Sequence, residues 1–265
     1  MSEVAIQGSE GGNRRSRWRF IVPLIWLAAL LMLAVGMTTL EPLFRLLEPD
    51  LRQVIYVRES FLVLLGQHVL MVAVAALLAT CVGVGAAVAV TRAAGRDFMP
   101  MVAQLASIGQ TFPPVAVLAL AVPVLGFGAV PVIVALVLYG LLPIVRNTLA
   151  GLQGVSAEVL EAARGMGMTP RQVLLQVELP LAAPVILAGI RTSVTINVAT
   201  AALGATVGAS NLGDPIISGI VNGNTPYIIQ GAVMIGLLAL AVDSLFERLQ
   251  PRVPGQASDG QAANG

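Results

Sequence analysis

Few residues in this chain could carry covalent chemistry. The single histidine, His68, and the single cysteine, Cys81, both sit in apolar runs. No GxSxG occurs, and a hydrolytic enzyme inside a membrane would need a nucleophile and a base close together. One cysteine excludes an intramolecular disulfide, and nothing resembles a Cys-rich metal site. All 15 basic residues are arginine, so a phosphate loop of the form GxxxxGK[ST] is impossible and the chain is no Walker-type ATPase by itself. Any ATP must be handled by a partner. The spacing that carries information lies between Val155 and Pro180: Glu161-Ala162-Ala163, three residues, Gly167, nine residues, then Val177-Glu178-Leu179-Pro180. This polar segment is the part that must meet something in the cytosol.

The elements that position it are membrane helices. Of the 265 residues, 57% are hydrophobic and 11% charged, and the mean hydropathy is +0.87, whereas a soluble domain devotes about a quarter of its residues to charge. A helix crossing the hydrocarbon core needs about 20 largely apolar residues, and such stretches occur near 20–40, 61–90, 100–124, 128–145, 181–207 and 227–246. Six spans are expected. The stretch from Phe98 to Val145 holds no charged residue and is too long for one span; Gly126-Phe127-Gly128 and Pro131 supply the turn that splits it into two hairpin arms. Arg14, Arg15, Arg17 and Arg19 precede the first span, and Arg92, Arg96, Arg146, Arg164, Arg171, Arg248 and Arg252 fall on the same side after six crossings. By the positive-inside rule both termini are then cytosolic. The external loop at 41–59 weakens this bias, since its Arg45, Arg52 and Arg58 are offset by Glu41, Glu48, Asp50 and Glu59. The arginine cluster before span one could also be read as an export signal, but no small-x-small cleavage site follows Met37. The ends, 1–13 and 251–265, read as disordered tails from their Gly, Ser, Gln and Ala content.

Within the polar segment, Ser156 is placed to cap a short helix whose first turns hold Glu158 and Glu161, favourable near the positive end of the helix dipole. The helix should stop at Gly165-Met166-Gly167, and Thr169-Pro170-Arg171-Gln172 should restart one with a capping-box pair and proline at its first position. Ala162 and Ala163 offer a low-profile surface for close approach, and Met166 and Met168 adaptable apolar contacts. Pro180 then opens the fifth span. Without its spacing, such a segment reads as a solvated loop.

The pattern EAAxxxGxxxxxxxxx[IV]xLP resembles the cytoplasmic loop of type I ABC-importer permeases, where a short coupling helix docks into a groove on the ATPase subunit. The resemblance implies that Glu161, Ala162, Ala163, Gly165, Met166 and Gly167 belong to an ATPase-coupling loop. It extends over roughly 61–247: Thr111-Phe112-Pro113-Pro114, Val130-Pro131, Ala135-Leu136, the run from Tyr139 to Thr148, Gly165-Met166-Gly167-Met168-Thr169 and Leu187-Ala188-Gly189-Ile190-Arg191-Thr192 look like the glycine betaine, carnitine and choline branch. It implies an all-α integral membrane protein of about six transmembrane helices in the type I permease bundle. The implied layout is a cytosolic disordered tail at 1–19, an extra N-terminal span and external loop at 20–59, the permease domain at 60–248 with its coupling loop at 155–180, and a second cytosolic tail at 249–265. The implied partners are cytosolic ABC ATPase subunits, a second permease copy or paralogue, an extracytoplasmic substrate-binding protein and the lipid bilayer, with no nucleic acid. No cofactor is expected in this chain, MgATP being held by the partner ATPase.

A translocation path needs polar lining. The uncharged candidates are Gln104, Ser107, Gln110 and Thr111 in span three and Thr192, Ser193, Thr195, Asn197 and Thr200 in span five. Such groups also serve as glue between packed helices, at about 1 kcal/mol or less each. At 100° per residue Gln104, Ser107 and Thr111 share a face, as do Ser193, Asn197 and Thr200, and two such stripes facing each other would enclose a cavity. The loop from Gly208 to Tyr227, with Asn211, Asp214, Asn222 and Asn224, would face a binding protein, or is an ordinary Gly/Asn turn region. An ion-coupled secondary transporter would place an acidic residue near mid-membrane, whereas Asp243 lies near the cytosolic end of span six and Asp214 in a loop. The expected function is the permease subunit of an ATP-driven importer in the bacterial cytoplasmic (inner) membrane, carrying a small osmoprotectant such as glycine betaine, choline or carnitine. The alternative cargo is another small, amino-acid-like solute.

Overall fold

The structure, a computed structural model, describes residues 7–249. The regular structure of the described residues is all helical, and the helices are numbered in chain order. The first, α1 (Gln7–Gly36), leads through a 3₁₀ turn into the short α2 (Glu41–Leu47). The tail expected at 1–19 is thus helical from Gln7, because extending a helix already fixed by its apolar span adds one hydrogen bond per residue without a new nucleation cost. Residues 1–6 and 250–265 lie outside the described part.

Four long helices form the centre: α3 (Phe61–Thr91), α6 (Ala129–Gln153), α9 (Leu179–Thr200) and α11 (Thr225–Leu249). Ser60 caps α3, its Oγ accepting from Val63 N–H at 3.3 Å. The 31 residues of α3 rise about 46 Å at 1.5 Å each, more than the roughly 30 Å of hydrocarbon. A single large core of Leu64, Leu136, Val198, Leu212 and Met234 joins these helices with α1, while exposed Leu and Val on their outer sides suit a lipid solvent. Where α3, α6 and α9 meet, Gly140 lets the backbones close. A Cβ there would stand 2.5 Å from Ser193 Oγ and 3.3 Å from the Ala79 methyl.

The span expected at 100–124 is not one helix. It divides into α4 (Met99–Thr111) and α5 (Pro114–Leu125), bent by 95°. Proline explains the break: Phe112, before Pro113, is driven into the extended region at φ −85°, ψ 140°, and Pro114 restarts the helix at its first turn. The Tyr139 hydroxyl donates to the Phe112 carbonyl that the break leaves free. The pair still runs from one end of the bundle to the other. Gln153, at the end of α6, reaches Met99 Sδ at 3.1 Å, and beyond α5 Gly128 N–H donates to Val207 O at 2.8 Å. With the bent pair as one crossing, six helical passages are long and apolar enough to span a membrane. Gly126 and Gly128, at φ +80° and +106°, make the turn into α6.

Three short helices occupy the ends. At one end, α7 (Ala157–Gly165) and α8 (Pro170–Val173) link α6 to α9. Pro180 stands in the first turn of α9 as expected, but no break precedes it: the chain is continuously helical from Pro170 through a π turn at Leu174–Glu178 into α9. At the other end the expected loop 208–227 contains a helix, α10 (Asp214–Asn222), opened by Pro215 in its first turn and closed by Gly223 at φ +63°.

Candidate functional site

The polar linker folds as its local signals dictate. Ser156 Oγ accepts from Val159 N–H at 3.4 Å at the start of α7. The chain reverses at Gly167, φ +81°, where Gly167 N–H donates to Arg164 O at 2.9 Å and Met168 N–H to Ala163 O at 3.2 Å. Thr169 and Gln172 close a capping box around the start of α8, with Pro170 at its first position. Only Gly167 of the Gly165-Met166-Gly167 trio takes a positive φ; Gly165 is the last residue of α7. Glu161, Ala162, Gly165, Met166 and Gly167 are exposed, Met166 at 76%. Ala163 corrects the expectation of two alanines on one surface. It is buried, 2% exposed, because neighbouring residues on a helix point about 100° apart and this one packs inward. The linker therefore presents a short, proud helix tip carrying Glu161, Ala162 and Met166.

The base of the linker is fastened by a contact that local reading missed. Arg92, just after α3, places Nη2 2.5 Å from Glu178 Oε2 at the end of the π turn. Glu178 is 7% exposed and the only acidic residue classed as buried among the described residues. A second missed pair lies within the spans, where Arg191 on α9 grips Asp243 on α11 with two bonds, 2.6 and 2.7 Å.

The two polar stripes do not face each other. Gln110 Nε2 donates to Tyr139 O on α6 at 2.8 Å, while Ser193 and Asn197 press on Gly140 from α9. Only the Ser193–Asn197 stripe thus packs against α6; Gln104 and Thr111 of the other are exposed, and Gln110, which meets α6, lies off their face. Ser107 and Thr111 turn their hydroxyls to the Gln104 and Ile108 carbonyls of their own helix, and Thr192, Thr195 and Thr200 do the same on α9. Ser193 and Asn197 are fully buried without a hydrogen-bond partner, so neither is glue between helices here. His68 is also fully buried, Nε2 lying 2.9 Å from Val198 O, a packed histidine rather than a base.

At the α10 end, two of the four loop candidates are internal. Asn211 bonds Ala209 O and Gly213 N–H. Asn224 starts α11 by accepting from Tyr227 N–H and holds the Gln53 carbonyl at 2.8 Å. Each is buried because the free backbone groups of a tight turn need partners. Gln230, not singled out from sequence, pins the first loop through Tyr56 N–H and Val54 O. Asp214 and Asn222 line an open cavity of about 350 Å³ with Tyr56, Arg58 and Ser218.

Burial pushes the Asp214 carboxyl above the usual carboxylate range, ahead of the lowering by the Asn211 backbone and the Ser210 hydroxyl. A carboxyl raised on folding adds stability below its unfolded pKa and loses it as pH rises through the folded value. Asp214→Asn is therefore expected to raise the melting temperature at neutral pH, with the gain shrinking as the medium is acidified through the carboxyl range. A gain that grows in acid would contradict this assignment.

A helical bundle of six candidate membrane passages with a glycine-turned polar linker at one end defines a polytopic membrane protein. Residues 81–254 match the family described as the binding-protein-dependent transport system inner membrane component. The osmoprotectant import permease protein OsmY of Salmonella typhimurium is 42% identical over 88% of this chain and 94% of its own. The choline transport system permease protein OpuBB of Bacillus subtilis is 42% identical over 67% and 81%. The glycine betaine/carnitine/choline permease OpuCB of the same organism is 39% identical over 74% and 89%. Among solved structures, an inward-facing MetNI methionine ABC transporter aligns with a TM-score of 0.62 at 23% identity, over 71% of this chain and 93% of that one. An amino acid ABC transporter with histidines aligns at 0.62 and 18%, over 83% and 98%. The chain belongs to the family of binding-protein-dependent inner-membrane permeases, and it is a multi-pass protein of that membrane.

Proposed function

We propose that this chain is the membrane-spanning subunit of an ATP-driven importer for a small osmoprotectant such as glycine betaine, choline or carnitine. The observation that carries the cargo is the 42% identity across 88% of the chain to an osmoprotectant import permease. The exposed tip of Glu161, Ala162 and Met166 supports docking of α7 in a groove of a cytosolic ATPase. The arginines flanking the spans support an orientation with both termini and this tip in the cytosol. Specificity then comes from an extracytoplasmic binding protein approaching the α10 end, where Asp214 and Asn222 remain open. A second permease, identical or paralogous, completes the pathway. Closure of the ATPase pair on ATP drags the α7 tip and rocks the bundle between outward and inward states.

The test is uptake into proteoliposomes holding the permease with its ATPase, supplied with binding protein outside and ATP inside. ATP-dependent accumulation of labelled betaine, choline or carnitine is expected. Accumulation of amino acids alone would move the cargo to the other reading, and uptake driven by a proton gradient without ATP use would overturn the importer.

A further inference from the structure

We infer that the Arg92–Glu178 ion pair is the link that carries displacement of the α7 tip into α3, so that both helices flanking α6 move together. This rests on the importer reading above.

The tip is joined covalently only to α6 and, through α8 and the π turn, to α9. Helix α3, which packs on both, has no covalent tie to it. Glu178 supplies a non-covalent one: it ends the π turn at Leu174–Glu178 and is buried, yet its carboxylate meets Arg92 from a segment 86 residues earlier. Arg92 is the C-cap of α3, held there by its backbone N–H on Ala89 O and by Nη2 on the Thr91 hydroxyl at 3.1 Å. A force on the π turn therefore reaches the end of α3 through one charge-assisted bond, stronger than a neutral one. π turns are rare and concentrate where a helix must work. This one lies directly between the capped start of α8 and the membrane part of α9, where a wide turn can take up a shift in register. Removing Arg92 strands the Glu178 carboxylate, whose side chain is 9% exposed.

The experiment uses the full reconstituted complex and reads ATP hydrolysed per solute imported. Glu178→Gln keeps the shape and removes the charge; it is expected to raise that ratio at least fivefold while the ATPase stays bound. Arg92→Gln should do the same, and the exchanged pair Arg92→Glu with Glu178→Arg should recover a good part of the loss. An unchanged ratio in assembled Glu178→Gln overturns the link, and so does failure of both single variants to assemble, which assigns the pair to folding alone. A wild-type complex that imports nothing at the expense of ATP refutes the importer reading instead.

Discussion

Gly167→Pro is expected to abolish solute uptake while the protein still inserts and reaches the membrane. Gly167 sits at φ +81°, and proline is confined near −65°, so the reversal between α7 and α8 cannot form. Proline also lacks the N–H that Gly167 donates to Arg164 O at 2.9 Å. The spans are untouched, because the linker lies outside them. A graded series separates backbone from bulk: a Cβ at Gly167 would meet nothing within 4 Å, so Gly167→Ala suffers only the positive-φ strain, about 1–2 kcal/mol. Asparagine, which visits the left-handed region more readily than alanine, should retain the most uptake, alanine less and proline none. Glu161→Lys, which reverses charge on the exposed tip, should fail in the same way with the turn intact. The measurement is labelled uptake in cells, with co-purification of the ATPase recorded alongside. Normal uptake by Gly167→Pro with the ATPase still bound would remove the linker from the coupling path.

That turn was legible because its causes are local. A cap, a glycine and a Thr-x-x-Gln box act within four residues, and Ser156, Gly167, Thr169 and Gln172 behave as their types require. The break at Phe112 was equally local, with two prolines in succession, yet the apolar run around them reads as one span because hydropathy records composition and not direction. What sequence could not supply was facing. Gln104, Ser107 and Thr111 share one stripe and Ser193 and Asn197 another, but period alone does not say that the second packs on α6 while Gln104 and Thr111 stay exposed. Arg92 and Glu178 are likewise 86 residues apart, and Gln230 and Tyr56 174; such partners meet only once the bundle has formed. Ala163 shows the same limit at short range, where the helix was foreseen and its buried side was not.

The largest stability effect is expected at the Arg191–Asp243 pair, and it should be unequal between the partners. The pair ties α9 to α11 with two guanidinium nitrogens, Nε and Nη2, engaged. The two side chains are 27% and 40% exposed, but on membrane helices much of such area meets lipid or a neighbouring subunit, where solvent screens little. Asp243→Leu strands a guanidinium that cannot lose its proton. Arg191→Met leaves a carboxyl that can gain one and turn neutral. The first change should cost about 2–4 kcal/mol, softened by Glu247, which also attracts Arg191; the second should cost clearly less. The double variant, with neither charge left to desolvate, should return to within about 1 kcal/mol of the parent, as read from thermal unfolding in detergent or nanodiscs. Additive losses would show that the pair's energy lies in packing rather than in charge. If the double variant is stable but transports nothing, the bond between α9 and α11 serves the motion of the bundle as well as its folding, because an apolar contact can replace the pair's energy and cannot replace its directed two-point grip.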